Sequence, residues 1–327
     1  MGNTRRSFLT ALAGLMAAGA CGTAAAATAR PYPSHAITFV VPRSPGGGSD
    51  VLMRLLSTDL GKKLGVPIVV ENRPDATAIL GAEVVSRSDP DGYTLYVADN
   101  SFYQNPAILP KVPYDTVKDF SAVTMLAQGP VILIAKPSVP ANTLQELLAL
   151  AKQEPGKLTF ASGGIGASTH LAGVMLNYRA GTSMLHVPYK SSGDALKGLL
   201  SGDVDMQFGG ISSARPLVEA GRVKAIAVTG DKRDPAMPDV PTLQEQGLSG
   251  ADVMSLWGIH APAGTPLEVR TKLRDALVEV MREPAMAKKL QGLGYAVVGN
   301  TPQEHQAQTQ KIVEFWVDLS KKVDLHH

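Results

Sequence analysis

Two stretches of the chain carry residue types suited to holding an anion. The first is Val41-Pro42-Arg43-Ser44-Pro45-Gly46-Gly47-Gly48-Ser49-Asp50, and the second is Ser162-Gly163-Gly164-Ile165-Gly166-Ala167-Ser168-Thr169-His170. Each follows a β-type run and precedes a helical apolar pattern: Leu52, Leu55, Leu56 and Leu60 after the first, Leu171, Val174, Met175 and Tyr178 after the second. Glycine permits positive φ and lets a ligand approach the backbone closely. The unpaired N–H groups of a helix start, together with the helix dipole, favour negative charge there. Ser49, Ser168 and Thr169 can cap their helices or turn a hydroxyl toward a ligand. Two readings fit these residues: ordinary βα turns rich in glycine, or a two-jawed clamp for a small anion. Ligands of open α/β sheets bind at the C-terminal strand ends, where both turns lie.

Other chemistries fit less well. Neither turn is G-x-x-x-x-G-K-[ST], and the second lacks the third glycine of a dinucleotide fingerprint. Gly47-Gly48-Ser49-Asp50-Val51 ends in valine where a nucleophile elbow has glycine. The seven histidines form no H-E-x-x-H, and His170 stands only two residues from Ser168, poorly placed for a triad. Asp203 and Asp205 are a spaced carboxylate pair without histidine support and read as turn residues. No cofactor motif is present. An exported hydrolase using Ser49 or Ser168 is the rival from the enzyme class.

The turns must be positioned by a framework of strands and helices. Apolar, β-branched runs at 37–41, 68–70, 93–97, 131–134, 158–160, 205–208 and 223–228 alternate with helical patterns, which predicts parallel sheets covered on both faces. Thr143-Leu144-Gln145-Glu146, Thr265-Pro266-Leu267-Glu268 and Thr301-Pro302-Gln303-Glu304 read as capping boxes. The second opens a helix with an apolar stripe of Leu273, Ala276, Leu277, Val280 and Met281. The third opens one with Ile312, Phe315, Trp316 and Leu319 on one face. No glycine/serine linker or internal repeat marks a boundary, so one large sheet and two α/β lobes both fit.

Composition narrows the class. The chain has 327 residues, 44% of them apolar and 18% charged, which excludes a charge-rich disordered chain. Mean hydropathy is +0.03 and pI about 8.5. Of 31 basic and 29 acidic residues, Arg5 and Arg6 fall within the first 29 positions, leaving 29 of each sign. That balance, without a basic stripe, argues against a nucleic-acid partner. One cysteine, Cys21, excludes an internal disulfide. Residues 1–29 read as an export signal: a basic start, an apolar stretch too short to span a bilayer, and an alanine-rich tail. Adjacent Arg5-Arg6 before Phe8-Leu9 fits a twin-arginine signal; a Sec signal also fits, and Ala18-Gly19-Ala20 is a poor lipoprotein site before Cys21. Each version places the mature chain outside the cytoplasmic membrane.

A series of motifs then resembles the tripartite tricarboxylate transporter substrate-binding proteins, the periplasmic Bug receptors. Tyr32-Pro33, the first glycine turn, Val69-Val70-Glu71-Asn72-Arg73-Pro74, Pro90-Asp91-Gly92-Tyr93-Thr94-Leu95 and Pro155-Gly156-Lys157-Leu158 come in the family's order. The second turn with His170-Leu171-Ala172, His186-Val187-Pro188-Tyr189-Lys190, Pro238-Asp239-Val240-Pro241-Thr242, Trp257-Gly258 and Ala261-Pro262-Ala263-Gly264-Thr265-Pro266 follow. The resemblance spans about residues 31–320. It implies an α/β, two-lobed type II periplasmic-binding-protein fold (a Venus flytrap), each lobe a mostly parallel sheet flanked by helices. On that pattern residues 30–128 and 258–327 form one lobe and 129–257 the other. It implies a receptor without catalysis or cofactor that takes a small carboxylate in the inter-lobe cleft and delivers it to membrane transporter subunits; presentation to a sensor kinase is a further possibility. Carried onto this chain, the first jaw is Ser44, Gly46, Gly47, Ser49 and Asp50, with Asp50 bracing the loop. The second is Ser162, Gly163, Gly166, Ser168, Thr169 and His170, joined by Tyr189 and Asp205. Asn100, in the stretch 99–105 after a strand end, is a further candidate contact. Three departures stand out. Arg43 occupies a position usually aromatic in the family and can pair with a carboxylate or point outward. Asp75-Ala76-Thr77-Ala78-Ile79 replaces a glycine-rich stretch, and Ser191 replaces a glycine.

Overall fold

The computed structural model of the protein describes residues 31–75 and 77–325, so the expected export signal, Cys21 and the terminal histidine pair lie outside the described residues. The first glycine turn joins β1 (Ile37–Val41) to α1 (Gly48–Leu64), as expected. β2 (Ile68–Asn72), α2 (Ile79–Ser86), β3 (Thr94–Ala98) and α3 (Asn100–Ile108) continue the alternation. β4 (Phe120–Gly129) then runs through Pro130 directly into β5 (Val131–Ala135). Next come α4 (Leu144–Gln153), β6 (Thr159–Ser162), α5 (Ser168–Ala180), β7 (Leu185–Pro188), α6 (Ser192–Ser201), β8 (Met206–Gly210), α7 (Ile211–Glu219) and β9 (Lys224–Val228). The chain finishes with β10 (Ser255–Pro262), α8 (Leu267–Arg282), α9 (Pro284–Gly292), β11 (Ala296–Val297) and α10 (Pro302–Ser320).

The strands form two sheets, ordered β11-β4-β10-β3-β1-β2 and β7-β6-β8-β5-β9. The α/β architecture is the expected one, but the sheets are mixed and not mostly parallel. β1, β2 and β3 are parallel, as are β6, β7 and β8. β10 runs antiparallel to both β3 and β4, and β5 antiparallel to β8 and β9. The cause is the pair of crossings between sheets. β4 passes its chain straight into β5, and β10 brings it back, so these strands cannot share the direction of the βα units. The sequence hides β4 and β10 because Gln128, Gly129, Gly258 and Pro262 interrupt their apolar patterns.

The helix starts test the capping expectations. Thr301 makes the full reciprocal box with Glu304. Thr143 accepts from the Glu146 N–H at 3.2 Å, but the Glu146 carboxylate turns to the Asn142 N–H at 2.7 Å. Thr265 caps nothing: its hydroxyl donates to the Pro262 carbonyl at 2.8 Å, and Pro266 is the N-cap of α8. Of the α10 stripe Trp316 is buried, whereas Phe315 is 56% exposed.

Apolar burial holds the layers together. Leu52, Leu56 and Leu60 of α1 are fully buried, each removal from water contributing about 1.5–3 kcal/mol. α5 presses so closely on its sheet that a Cβ on Gly173 would lie 2.1 Å from the Phe160 ring. Ile108 of α3, Trp316 of α10 and Leu325 join the core built on Phe160, Leu171 and Phe208 of the second sheet. That shared packing makes Pro33–His327 one compact unit. No helix among the described residues is long and apolar enough to cross a membrane.

Candidate functional site

The C-terminal strand ends of both sheets face one cleft, with a cavity volume of about 220 Å³. The helix starts of α1, α3, α5, α6 and α7 all reach its wall. Each carries a partial positive charge of about half an elementary unit from its aligned peptide dipoles. Among the described residues, Arg43 and Asp99 are the only charged side chains lining this cleft.

The first jaw is built from a braced turn. Gly46 takes φ +86°, and its N–H donates to Asp50 Oδ2 at 2.9 Å. Asp50 Oδ1 accepts from Asn72 Nδ2 and Arg54 Nε, both at 2.8 Å. Asp50 therefore holds the loop. Ser44 does not line the cleft; its carbonyl accepts from the Gly47 N–H at 3.1 Å. Gly47, not Ser49, is the N-cap of α1, with no side-chain cap bond. Ser49 thus sits in the first turn, 1% exposed, with an Oγ that has no hydrogen-bond partner among the described residues, and it lines the cleft. Gly48 is held against the wall, since a Cβ there would lie 3.0 Å from Trp257.

The second jaw differs from expectation. Its loop amides are satisfied from within: Gly163 N–H donates to Thr169 Oγ1 at 3.0 Å, Gly164 N–H to Ser162 Oγ at 3.2 Å, and Gly166 N–H to His170 Nδ1 at 3.2 Å. Ser162, Gly166 and His170 accordingly stand behind the cleft wall and shape it. Ala167 is the N-cap of α5, without a side-chain cap bond, so neither Ser168 nor Thr169 caps. Gly163, Ser168 and Thr169 line the cleft. Ser168 Oγ bonds Ser255 Oγ at 2.7 Å, tying the second jaw to β10. Behind them His186 Nε2 bonds Ser162 Oγ at 2.6 Å, its ring tilted against His170 with centroids 4.2 Å apart. Burial pushes the His186 imidazolium pKa down to about 4, which keeps the ring neutral.

Two expected contacts lie elsewhere. Tyr189 packs under α6, where a Cβ on Gly198 would lie 2.2 Å from its hydroxyl. Asp205 pairs with Lys136 at 2.8 Å and accepts from the Thr159 N–H at 2.9 Å. Asn100 does line the cleft, but its amide is spent on the crossing segment, donating to the Met254 carbonyl at 2.9 Å and accepting from the Leu256 N–H at 2.8 Å. Arg43 neither points outward nor stands alone. It is 8% exposed, donates Nε to Asp99 Oδ2 at 2.6 Å and Nη2 to Ser101 Oγ, and lines the cleft. Burial opposes its charge, yet Asp99 more than offsets this and raises the guanidinium pKa.

Sequence reasoning missed a third side of the cleft. Ser191, Ser192 and Gly193 at the α6 start and Gly210–Ser213 at the α7 start line it, with Trp257 and Tyr295. Ser191 Oγ caps α6 at the Asp194 N–H, 3.1 Å away. The pattern Ser191-x-x-Asp194 is a capping signal that could have flagged this helix start. Trp257 and Tyr295 meet at 4.4 Å between ring centroids, a contact between residues far apart in sequence.

The architecture and motifs recur in known proteins. Residues 52–325 match the model of the tripartite tricarboxylate transporter family receptors. The UPF0065 protein of the tcbD-tcbE intergenic region of Pseudomonas sp. (strain P51) is 36% identical over 273 residues, 83% of this chain and 81% of that protein. A solved periplasmic transporter is 36% identical with a TM-score of 0.85, covering 90% of this chain and 99% of its own. MatC from Rhodopseudomonas palustris, solved with bound malate, is 32% identical with a TM-score of 0.82, covering 88% of this chain and all of its own. With the fold, the glycine turns and the family match in agreement, the chain belongs to the tripartite tricarboxylate transporter family of receptors.

Proposed function

We propose that this protein is a periplasmic receptor that captures a small carboxylate in the cleft and hands it to the membrane subunits of a transporter. The observation that carries the reading is Ser49. A hydroxyl almost wholly buried yet without a partner is costly, and this one lies in the first turn of α1 at the cleft wall. Facing it are the first-turn residues Ser168 and Thr169 of α5, on the other sheet. A carboxylate between them accepts from hydroxyls and helix-start amides on both sides. The malate bound by MatC is a ligand of this chemistry.

In this reading two lobes, one built on each sheet, are joined where β4 passes into β5 and where the chain returns into β10. The ligand bonds both jaws only when the lobes close, and that differential affinity drives closure. The wall is built for binding and not for turnover. Ser168 bonds another serine, His170 Nδ1 is occupied by an amide, and the Ser162 hydroxyl that meets His186 is fully buried. The test is a thermal-shift screen of the mature protein against mono-, di- and tricarboxylates, with calorimetry on each hit, because native-state binding raises the melting temperature. Saturable binding lost in the Ser49→Ala, Ser168→Ala double variant supports the reading. No shift with any carboxylate overturns it. Co-purification of the mature protein with the transporter's membrane subunits tests the partner.

A further inference from the structure

We propose that Arg43, held by Asp99, makes this cleft select a ligand with two carboxylates over one with a single carboxylate; the inference rests on the carboxylate reading above. A guanidinium offers five N–H donors in a rigid planar fork. Here Asp99 takes the Nε edge and Ser101 Oγ takes one Nη2 proton. Asp99 is itself fixed, since its Oδ1 accepts from the Ser101 N–H at 2.9 Å as the N-cap of α3. The Nη1 protons and the second Nη2 proton donate to no group among the described residues. Nη1 is not among the fully buried atoms left without a partner, so it opens onto the cleft that Arg43 lines. The guanidinium keeps three donors for an acceptor that the cleft supplies when filled.

Its position fits a second anchoring point. The Arg43 side chain leaves the backbone beside Gly47, where a Cβ would lie 3.1 Å from Arg43 Cβ, and ends at the start of α3. Ser101 there also touches the other jaw, for a Cβ on Gly166 would lie 3.2 Å from Ser101 Oγ. Arg43, Ser49, Ser168 and Thr169 line the same cleft, so one carboxylate at the α1 and α5 starts and another at the Arg43 fork share one space. The Arg43–Asp99 pair is neutral as a unit, so the fork acts through directed, charge-assisted bonds. The second negative charge is offset by the helix starts that ring the cleft. A monocarboxylate leaves the fork desolvated without an acceptor, and that penalty is the source of discrimination.

The experiment measures calorimetric affinities for chain-matched pairs: succinate against butyrate, glutarate against valerate, and adipate against hexanoate. The wild-type protein is expected to bind the best dicarboxylate about ten- to a hundredfold more tightly than its matched monocarboxylate. The variants are Arg43→Met and the double variant Arg43→Met, Asp99→Asn, which removes the stranded carboxylate while keeping a good N-cap. Both should lose the preference, the affinities for the two members of a pair coming to within about threefold of each other. A role confined to stability would weaken both ligands alike and leave their ratio unchanged. Equal wild-type affinity within every pair, or an unchanged ratio in the folded double variant, overturns the role of Arg43 while leaving carboxylate binding intact. Failure of the wild type to bind any of the six while another carboxylate binds likewise overturns the role of Arg43, and failure to bind any carboxylate overturns the carboxylate reading as well.

Discussion

Acidification should unfold this protein through a histidine that cannot be charged where it sits. His305 of α10 is fully buried against Tyr103 and His260, with ring centroids 6.5 and 4.7 Å away. Burial lowers its pKa from 6.5 to about 3, with Gln308 acting weakly the other way. In the unfolded chain the ring takes a proton as pH falls through its ordinary value near 6.5. In the folded chain it refuses the proton down to about 3. The unfolded state therefore binds more protons throughout this window, and stability falls as pH falls. It is fully retained above pH 6.5 and levels off below about 3. At about 1.4 kcal/mol per unit, the loss from His305 alone is about 2 kcal/mol at pH 5 and approaches about 5 kcal/mol at the acid limit. His260 adds to it, since burial and then the neighbouring His305 hold its pKa well below the ordinary value. The assay is urea denaturation followed by far-UV circular dichroism at half-unit steps from pH 7.5 to 4.5. The His305→Leu variant should lose about one proton of the pH slope between 6.5 and 5. A flat wild-type profile in that range, or an unaltered slope in the variant, would refute the argument.

Three further outcomes follow from the geometry. Ser49→Ala should weaken carboxylate binding by about 1 kcal/mol without lowering the melting temperature, because the hydroxyl it removes stabilises nothing in the unliganded fold; a lower melting temperature measured by calorimetric scanning would contradict this. Asp50→Ala removes the acceptor shared by Gly46, Asn72 and Arg54, and should cost about 2 kcal/mol in denaturant titrations as well as ligand affinity. Gly173→Ala drives a methyl group into the Phe160 ring and should destabilise by about 1–3 kcal/mol with no change in ligand preference, checked by the same titration and by calorimetry.

How much was legible beforehand can be judged from particular residues. The turn at 42–50 and the turn at 162–170 were placed between strand and helix from glycine and apolar spacing alone, because these are local signals carried by neighbouring residues. Asp50 enters as a brace through the family motif, and the structure gives it Gly46, four residues away, as a partner. The direction in which the second turn presents its amides was not legible. Thr169, Ser162 and His170 claim them, and the sequence allows those side chains several orientations. Tyr189 and Asp205 were carried over by motif and fold away from the cleft. Ser191 stands out in the sequence only as a departure from the family's glycine, and the starts of α6 and α7 are not legible as cleft wall because no glycine cluster marks them as plainly.

What the sequence by itself determined is the set of parts: an alternating α/β chain, two glycine turns opening helices, and membership of a receptor family. These follow from local propensity, periodicity and motif order. What only the tertiary structure decided is which groups share the cleft. Arg43 meets Asp99 across 56 residues of sequence, and Ser168 meets Ser255 across 87. Such pairings depend on the two crossings between sheets, and no pattern of neighbouring residues encodes the distance between segments that only folding brings together.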